Sequence, residues 1–223
     1  MSTGASSRAF GALTLSMLTL LPSTPAQAAS DALHTRLVDQ RGHDTQIAEF
    51  SGRPVVVTFV ATRCTDACPI ANAAFAALER RLKRDHVAAM LLTITLDPEH
   101  DSALAMARLA ANFAADPARW RFLSGGPQEI RAVMRAFGVR ATPGPAGIPD
   151  EHTSFVYLLD ARGKPQSSFL VSTNLADTLE STLLKRPSRA ALWLTNPSLA
   201  VTVLRPNHSQ RPLTGRRPTE SRW

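Results

Sequence analysis

The chain has only two cysteines among its 223 residues, Cys64 and Cys68. A closed structural zinc site takes about four Cys or His ligands, and two thiols with scattered histidines fall short of that set. No Cys-x-x-Cys-His haem signature and no internal repeat are present. The apolar run from Phe10 to Leu21 is shorter than the ~20 residues that a membrane-spanning helix takes. The chemistry of the chain is therefore expected to depend on one pair of thiols.

The two cysteines lie where an apolar run gives way to a helical pattern. Residues 54–60, PVVVTFV, predict a buried strand, and Pro69 suits a first helical turn because it lacks the amide hydrogen that would have no partner there. Backbone N–H groups and the helix dipole at such a position favour the thiolate form of a nearby cysteine. If both cysteines lie in the first helical turn, they share one face with Cα atoms ~6 Å apart, within disulfide reach.

Two thiolates on one face are able to clamp a soft metal ion. They favour Cu(I), zinc or iron–sulfur chemistry over magnesium or calcium. The alternative is a structural disulfide or a pair of inert core thiols, and a bridge closing so short a loop would add little folding stability.

His152 is the candidate third ligand. It ends a loop rich in proline and glycine and precedes a predicted strand, and sites in α/β folds form at strand ends. Imidazole with two thiolates is a three-coordinate set acceptable to Cu(I) and, with a further oxygen or nitrogen, to Cu(II). The alternative for a lone loop histidine is a solvated surface residue. That interpretation is kept for the other five: His34, His43, His86, His100 and His208.

Hydrophobic periodicity predicts an α/β sandwich around a central mixed sheet, with an N-terminal β-hairpin. The predicted segments are a hairpin over 33–50, strand 54–60, helix 69–84, strand 87–96, a helix ending near 114, strand 120–123, helix 128–137, a turn-rich loop over 141–150, strands 154–159 and 166–171, and helix 174–185. Either Asp101 or Ser102 is expected to cap the second helix. At about 150 residues per domain, one domain over residues 29–186 is expected.

The N-terminal end has the pattern of a secretory signal, predicted over residues 1–28. Arg8 is its only charge, an apolar run follows, and residues 26–28, AQA, match the small-x-small cleavage pattern. Export to the periplasm implies an oxidising compartment, in which the thiols need each other, a metal or a reductant as partner. An uncleaved N-terminal anchor is the alternative.

The C-terminal end, residues 187–223, is strongly basic. It holds six arginines against one acid, Glu220. We expect a disordered basic tail, and the alternative is an arm that touches an anionic membrane surface or an acidic partner. Nucleic acid is not expected as a partner, because an exported protein seldom meets it.

Three segments carry a resemblance to a known family. Residues 59–69, FVATRCTDACP, resemble the cysteine motif of the SCO/SenC family of copper-binding proteins with a thioredoxin-like fold. Residues 96–101, LDPEHD, are similar to the family's aspartate-proline segment, and residues 151–163 are similar to its histidine-bearing strand and turn. The three occur in the family order within about residues 30–185.

The resemblance implies a three-layer thioredoxin-like sandwich and copper as the bound ion. Carried over position by position, the metal ligands are Cys64, Cys68 and His152, and Asp97 has a supporting role near them. Thr65 stands where the family usually has proline, a departure that removes no ligand. The implied function is a periplasmic metallochaperone that delivers copper to a cuproprotein client such as a cytochrome oxidase subunit.

Two enzymatic functions compete with copper delivery. In a thiol–disulfide oxidoreductase, Cys64 would attack a client disulfide and Cys68 would resolve the mixed disulfide, which would make these two residues catalytic. Against this, the usual redox motif is Cys-x-x-Cys and His152 has no role in it. A peroxiredoxin-like peroxidase would use the Thr65–Cys68 spacing, but Ala61 stands where that family normally has proline.

Overall fold

The computed structural model describes residues 31–143, 149–152 and 154–185. The strands are β1 (Leu37–Asp39), β2 (Asp44–Thr45), β3 (Val55–Val60), β4 (Met90–Thr95), β5 (Trp120–Ser124), β6 (Ala141–Pro143), β7 (Pro149–His152), β8 (Phe155–Leu159) and β9 (Pro165–Leu170). The helices are α1 (Ala67–Arg84), α2 (Ala103–Asn112), α3 (Pro127–Ala136) and α4 (Leu175–Leu184), and a 3₁₀ turn spans Ile47–Phe50. The predicted signal and basic tail lie outside the described residues, so those assignments and the domain bounds stay predictions.

Seven of these strands form one mixed sheet in the order β2-β1-β5-β4-β3-β8-β9. Strands β3, β4 and β5 run parallel, and β8 and β9 are antiparallel to them and to each other. The N-terminal hairpin β1–β2 adds to the other side of the sheet through an antiparallel pairing with β5. The predicted mixed α/β architecture is confirmed. No described helix is long and apolar enough to cross a membrane.

The sheet is covered on both faces, which explains the continuous apolar run of its central strands. All six residues of β3 are buried, and so are all six of β4. One face packs against α1, α2 and α4 in a cluster that contains Phe75, Met106 and Leu179. The opposite face packs against α3 and the 3₁₀ turn in a second cluster that contains Phe59 and Ile130.

Trp120 anchors the first cluster. Its side chain is fully buried, and its ring centroid lies 5.8 Å from that of Phe75 and 4.8 Å from that of Phe122. The indole Nε1–H donates to Thr93 Oγ1 at 2.9 Å, so the one polar atom of this large side chain is satisfied inside the core.

Two local predictions differ from the structure. Helix α1 begins at Ala67, so Cys64 precedes the helix and does not share its first turn with Cys68. The segment predicted as a loop over 141–150 contains strand pairing, because β6 and β7 form a separate two-stranded hairpin. The prediction that Asp101 or Ser102 caps α2 is confirmed, since Ser102 accepts from the Ala105 backbone N–H at 3.3 Å, whereas Asp101 is buried.

We expect the first cluster to carry much of the folding free energy. Phe75→Ala removes a fully buried ring and should lower the free energy of unfolding by about 3–5 kcal/mol. Leu104→Ala, on an α2 side chain that is 62% exposed, should change it by no more than about 0.5 kcal/mol. Urea unfolding followed by circular dichroism measures both, and equal losses in the two variants would contradict this assignment of the core.

Candidate metal centre

The two thiols lie at the carboxyl end of β3, one on a loop and one on a helix. Cys64 belongs to the loop between β3 and α1, where its backbone N–H donates to the carbonyl of Ala61 at 3.1 Å. Cys68 is the second residue of α1. The turn at Ala61 and the start of the helix fold the loop back on itself, so that the two sulfurs come into hydrogen-bonding contact.

The surroundings of the two thiols differ. Cys68 is 3% exposed, whereas Cys64 is only half-buried. Burial, followed by the hydrogen bond with Cys64, raises the pKa of the Cys68 thiol well above its usual value, even though the Ala61 N–H donates to its Sγ at 3.5 Å. Both residues are reduced in the structure. The two sulfurs are soft donors in contact, one at the surface and one beneath it. Such a pair suits the binding of a soft cation, whose positive charge would favour the thiolate form of both cysteines.

A buried carboxylate holds the loop on which Cys64 lies. Asp101 is fully buried, and its Oδ2 accepts from the Thr62 backbone N–H at 3.1 Å and from Thr95 Oγ1 at 2.7 Å. Its Oδ1 accepts from the hydroxyl of Thr62, and its own carbonyl accepts from the hydroxyl of Ser124. Asp101 thereby ties the loop before Cys64 to the ends of β4 and β5.

A second carboxylate holds the next residue of the same loop. Arg63 Nη2 donates to Asp97 Oδ2 at 2.7 Å, and His100 Nδ1 lies 2.8 Å from Asp97 Oδ1. Burial alone would raise the pKa of Asp97, but the hydrogen bonds from His100 and Arg63 outweigh it and hold that pKa below its usual value. Asp97 therefore supports the loop through Arg63, in the kind of role the sequence predicted for it. His100 is exposed as expected, yet it also contacts this carboxylate.

His152 ends strand β7, where it pairs with Ala141. Strand β8 runs antiparallel to β3 with Val156 opposite Thr58, so the chain just before β8 lies beyond the carboxyl end of β3. Ala141 and Cys64 pack against the same core cluster. The backbone thus brings His152 to the edge of the sheet that carries the thiols.

The three-ligand set itself stays a prediction. The side chain of His152 is not among the described ones, and the described side chains include no group of three or more His, Cys, Asp or Glu residues that would hold a metal. The described residues bring Cys64 and Cys68 together. Asp97 and Asp101 join them through their hydrogen bonds to the loop that carries Cys64. The sequence did not identify Asp101 as a site residue. Asp101 does follow a buried strand at the edge where the site forms, and this position is the signal that could have identified it.

Comparison with known proteins gives one consistent result. The family model SCO1/SenC matches residues 24–184. An SCO2-like protein of Rickettsia felis is 26% identical over 149 residues, which are 65% of this chain and 71% of that protein. The mitochondrial protein SCO2 homolog of Bos taurus is 32% identical over 143 residues, which are 61% of this chain and 53% of that protein.

Solved structures of similar proteins share the fold. The copper-bound structure of Bradyrhizobium japonicum ScoI is 28% identical, with a TM-score of 0.57 over 66% of this chain and 96% of that one. A SCO1/SenC family lipoprotein from Bacillus anthracis is 20% identical, with a TM-score of 0.62 over 67% of this chain and 90% of that one. The thioredoxin-like fold implied by the resemblance is confirmed.

We expect Asp101 to be the main anchor of the thiol loop. Asp101→Asn replaces one acceptor oxygen by an NH₂ group that would face hydrogen-bond donors, which should cost about 1–3 kcal/mol of unfolding free energy. Amide hydrogen exchange at Thr62 and Cys64 should also become faster than in the wild type.

Asp66→Asn is the matched control, because Asp66 lies in the same loop with an exposed side chain and no side-chain cap bond to α1. Its effects on urea unfolding and on exchange at Thr62 should be negligible. An Asp101→Asn protein with wild-type exchange at Thr62 would contradict the anchoring role.

Proposed function

Because the chain belongs to the SCO1/SenC family, we propose that it is a copper-binding metallochaperone that delivers copper to a cuproprotein such as the copper centre of cytochrome c oxidase. The observation that carries the proposal is the contact between Cys64 and Cys68 at the end of β3. Copper is the cargo here, and two adjacent soft donors are the ligands that Cu(I) prefers. The predicted signal sequence supports a periplasmic location.

Within this proposal Cys64, Cys68 and His152 are the metal ligands. The buried Cys68 thiol must lose its proton to bind the ion, so copper uptake should release protons to solvent. The raised pKa of Cys68 keeps this buried thiol protonated in the metal-free protein, and a neutral thiol is stable inside the fold without a counterion. The half-buried Cys64 is the ligand that an incoming client reaches, and His152 lies on a hairpin separate from the main sheet.

The described contacts also support a second function, thiol–disulfide exchange. Cys64 is the more accessible sulfur and Cys68 lies in contact with it. The Cys64 thiolate would attack one sulfur of a client disulfide, forming a mixed disulfide and releasing one client thiol. Cys68 would then attack the Cys64 sulfur, forming the Cys64–Cys68 bond and releasing the second client thiol. Two electrons pass from the pair to the client, so a reductant must regenerate it.

Copper titration tests the leading proposal. The reduced protein should bind one equivalent of Cu(I) in competition with a chromophoric chelator. Cys64→Ser, Cys68→Ser and His152→Ala should each weaken binding by about 100-fold or more, since loss of a ligand costs more than loss of a supporting contact. His43→Ala, at an exposed position in the β1–β2 turn, should leave the affinity unchanged. Wild-type affinity in the His152→Ala variant would refute the three-ligand set.

Alkylation rates test the difference in accessibility between Cys64 and Cys68, on which both proposed functions depend. At pH 8, iodoacetamide should modify Cys64 at least about tenfold faster than Cys68, because burial and the raised pKa keep Cys68 protonated and covered. Peptide mass spectrometry after timed quenching gives both rates. The Cys64→Ser variant is the control, because Cys68 alone should remain slow in it. Equal rates would contradict the described burial of Cys68.

A further inference from the structure

A pocket of about 190 Å³ opens beside the two thiols, between the first turns of α1 and the last turn of α2. Cys64 and Cys68 form part of its lining, so a group that enters it reaches the sulfur atoms directly. At roughly 30 Å³ for each water molecule, its volume corresponds to about six waters. That space is too small for a drug-sized ligand and suits one side chain.

The lining of the pocket is neutral. Pro69 on α1, Leu109 on α2 and Phe113 just after α2 supply apolar surface. None of the described residues that line it is charged. A carboxylate or an ammonium group would therefore lose its water there without gaining a counterion, which disfavours both.

One polar group at the pocket is held in a fixed orientation. Asn72 lies one turn after Cys68, is 1% exposed, and lines the pocket. Trp120 Nε1–H donates to Thr93 Oγ1, and the Thr93 hydroxyl in turn donates to Asn72 Oδ1 at 3.3 Å. These two hydrogen bonds orient the carbonyl end of the Asn72 amide away from the pocket. The Asn72 NH₂ group donates to no described residue, so it is available as a donor to a group in the pocket.

Most of the apolar lining of the pocket belongs to one face of the sheet. Leu109 and Phe113 pack against the cluster on the α1, α2 and α4 face. Cys64 and Ala141, the partner of His152 in the hairpin, pack against the cluster on the α3 face. A ligand from a second protein that enters the pocket would therefore approach the thiol pair from the side of α1 and α2.

We propose that this pocket receives a methionine side chain of the protein that accepts the copper, with the Asn72 NH₂ donating to a backbone carbonyl of that segment. The proposal rests on the proposed function, because an acceptor of Cu(I) must bring a soft ligand. A thioether remains neutral beside two thiolates, whereas a third thiolate would be repelled by them. Methionine also fills irregular apolar gaps and makes favourable contacts with an aromatic ring such as that of Phe113.

The test uses the reduced, metal-free protein labelled with ¹⁵N and titrated with N-acetyl-L-methionine amide. Saturable chemical-shift changes should appear at the Asn72 side-chain amide and at the backbone amides of Leu109 and Phe113. The charged probe N-acetyl-L-aspartate amide should leave these signals in place. Leu109→Trp fills the pocket and should abolish the methionine response.

Leu104→Trp is the matched control, since it makes the same change on α2 at a side chain that is 62% exposed and outside the pocket. It should keep the methionine response, and thermal unfolding of both variants checks that each is folded. Absence of shifts at the pocket residues, or a full response in Leu109→Trp, would overturn the proposal.

Copper transfer separates this proposal from the function on which it rests. Transfer of Cu(I) to a methionine-containing peptide should be at least about tenfold slower from the copper-loaded Leu109→Trp protein than from the copper-loaded Leu104→Trp protein. The two variants should bind copper with equal affinity. A tenfold lower rate corresponds to an activation barrier higher by ~1.4 kcal/mol. Copper binding without a methionine response would overturn the pocket proposal alone. A methionine response in a protein that binds no copper would support the pocket and overturn the metallochaperone function.

Discussion

Strand β3 is paired along its length with β4 on one side, and its first four residues pair with β8 on the other. The parallel partner β4 ends at the same edge of the sheet and leads into the loop that carries Asp97 and Asp101. The antiparallel partner β8 begins at that edge, so the segment before it carries His152 there. The geometry of the candidate metal centre depends on this pairing.

Two carboxylates turn that arrangement into a defined thiol loop. Asp101 holds Thr62 by its backbone and its hydroxyl, and Asp97 holds Arg63 by its guanidinium group. The next residue along the chain is Cys64. A loop fixed at two successive positions presents its following side chain in a narrow range of positions, which lowers the entropy lost when that side chain binds a ligand. The same ties leave Cys64 itself half-buried and accessible.

The unequal burial of the two thiols is compatible with both copper delivery and thiol exchange. Cys68 is protected by the helix and by the core, while Cys64 is half-buried and lines the neighbouring pocket. The pocket is neutral, and its one fixed donor comes from a buried chain that runs from Trp120 through Thr93 to Asn72. The first core cluster and the thiol site are therefore physically continuous, so that changes at Trp120 or Thr93 reach the pocket through hydrogen bonds.

The amino-acid sequence by itself determined the apolar strands, the helix that follows the thiols and the segments that carry the family resemblance. These follow from local periodicity and motif spacing, which are properties of neighbouring residues. Only the tertiary structure placed Cys64 outside α1, buried Asp101 against Thr62, turned the loop before His152 into a hairpin and enclosed the pocket beside Asn72. The contact of Asp101 with Thr62 and the lining of the pocket join residues far apart in the chain. Their energies come from burial and hydrogen bonds between elements, which no local pattern of residues specifies.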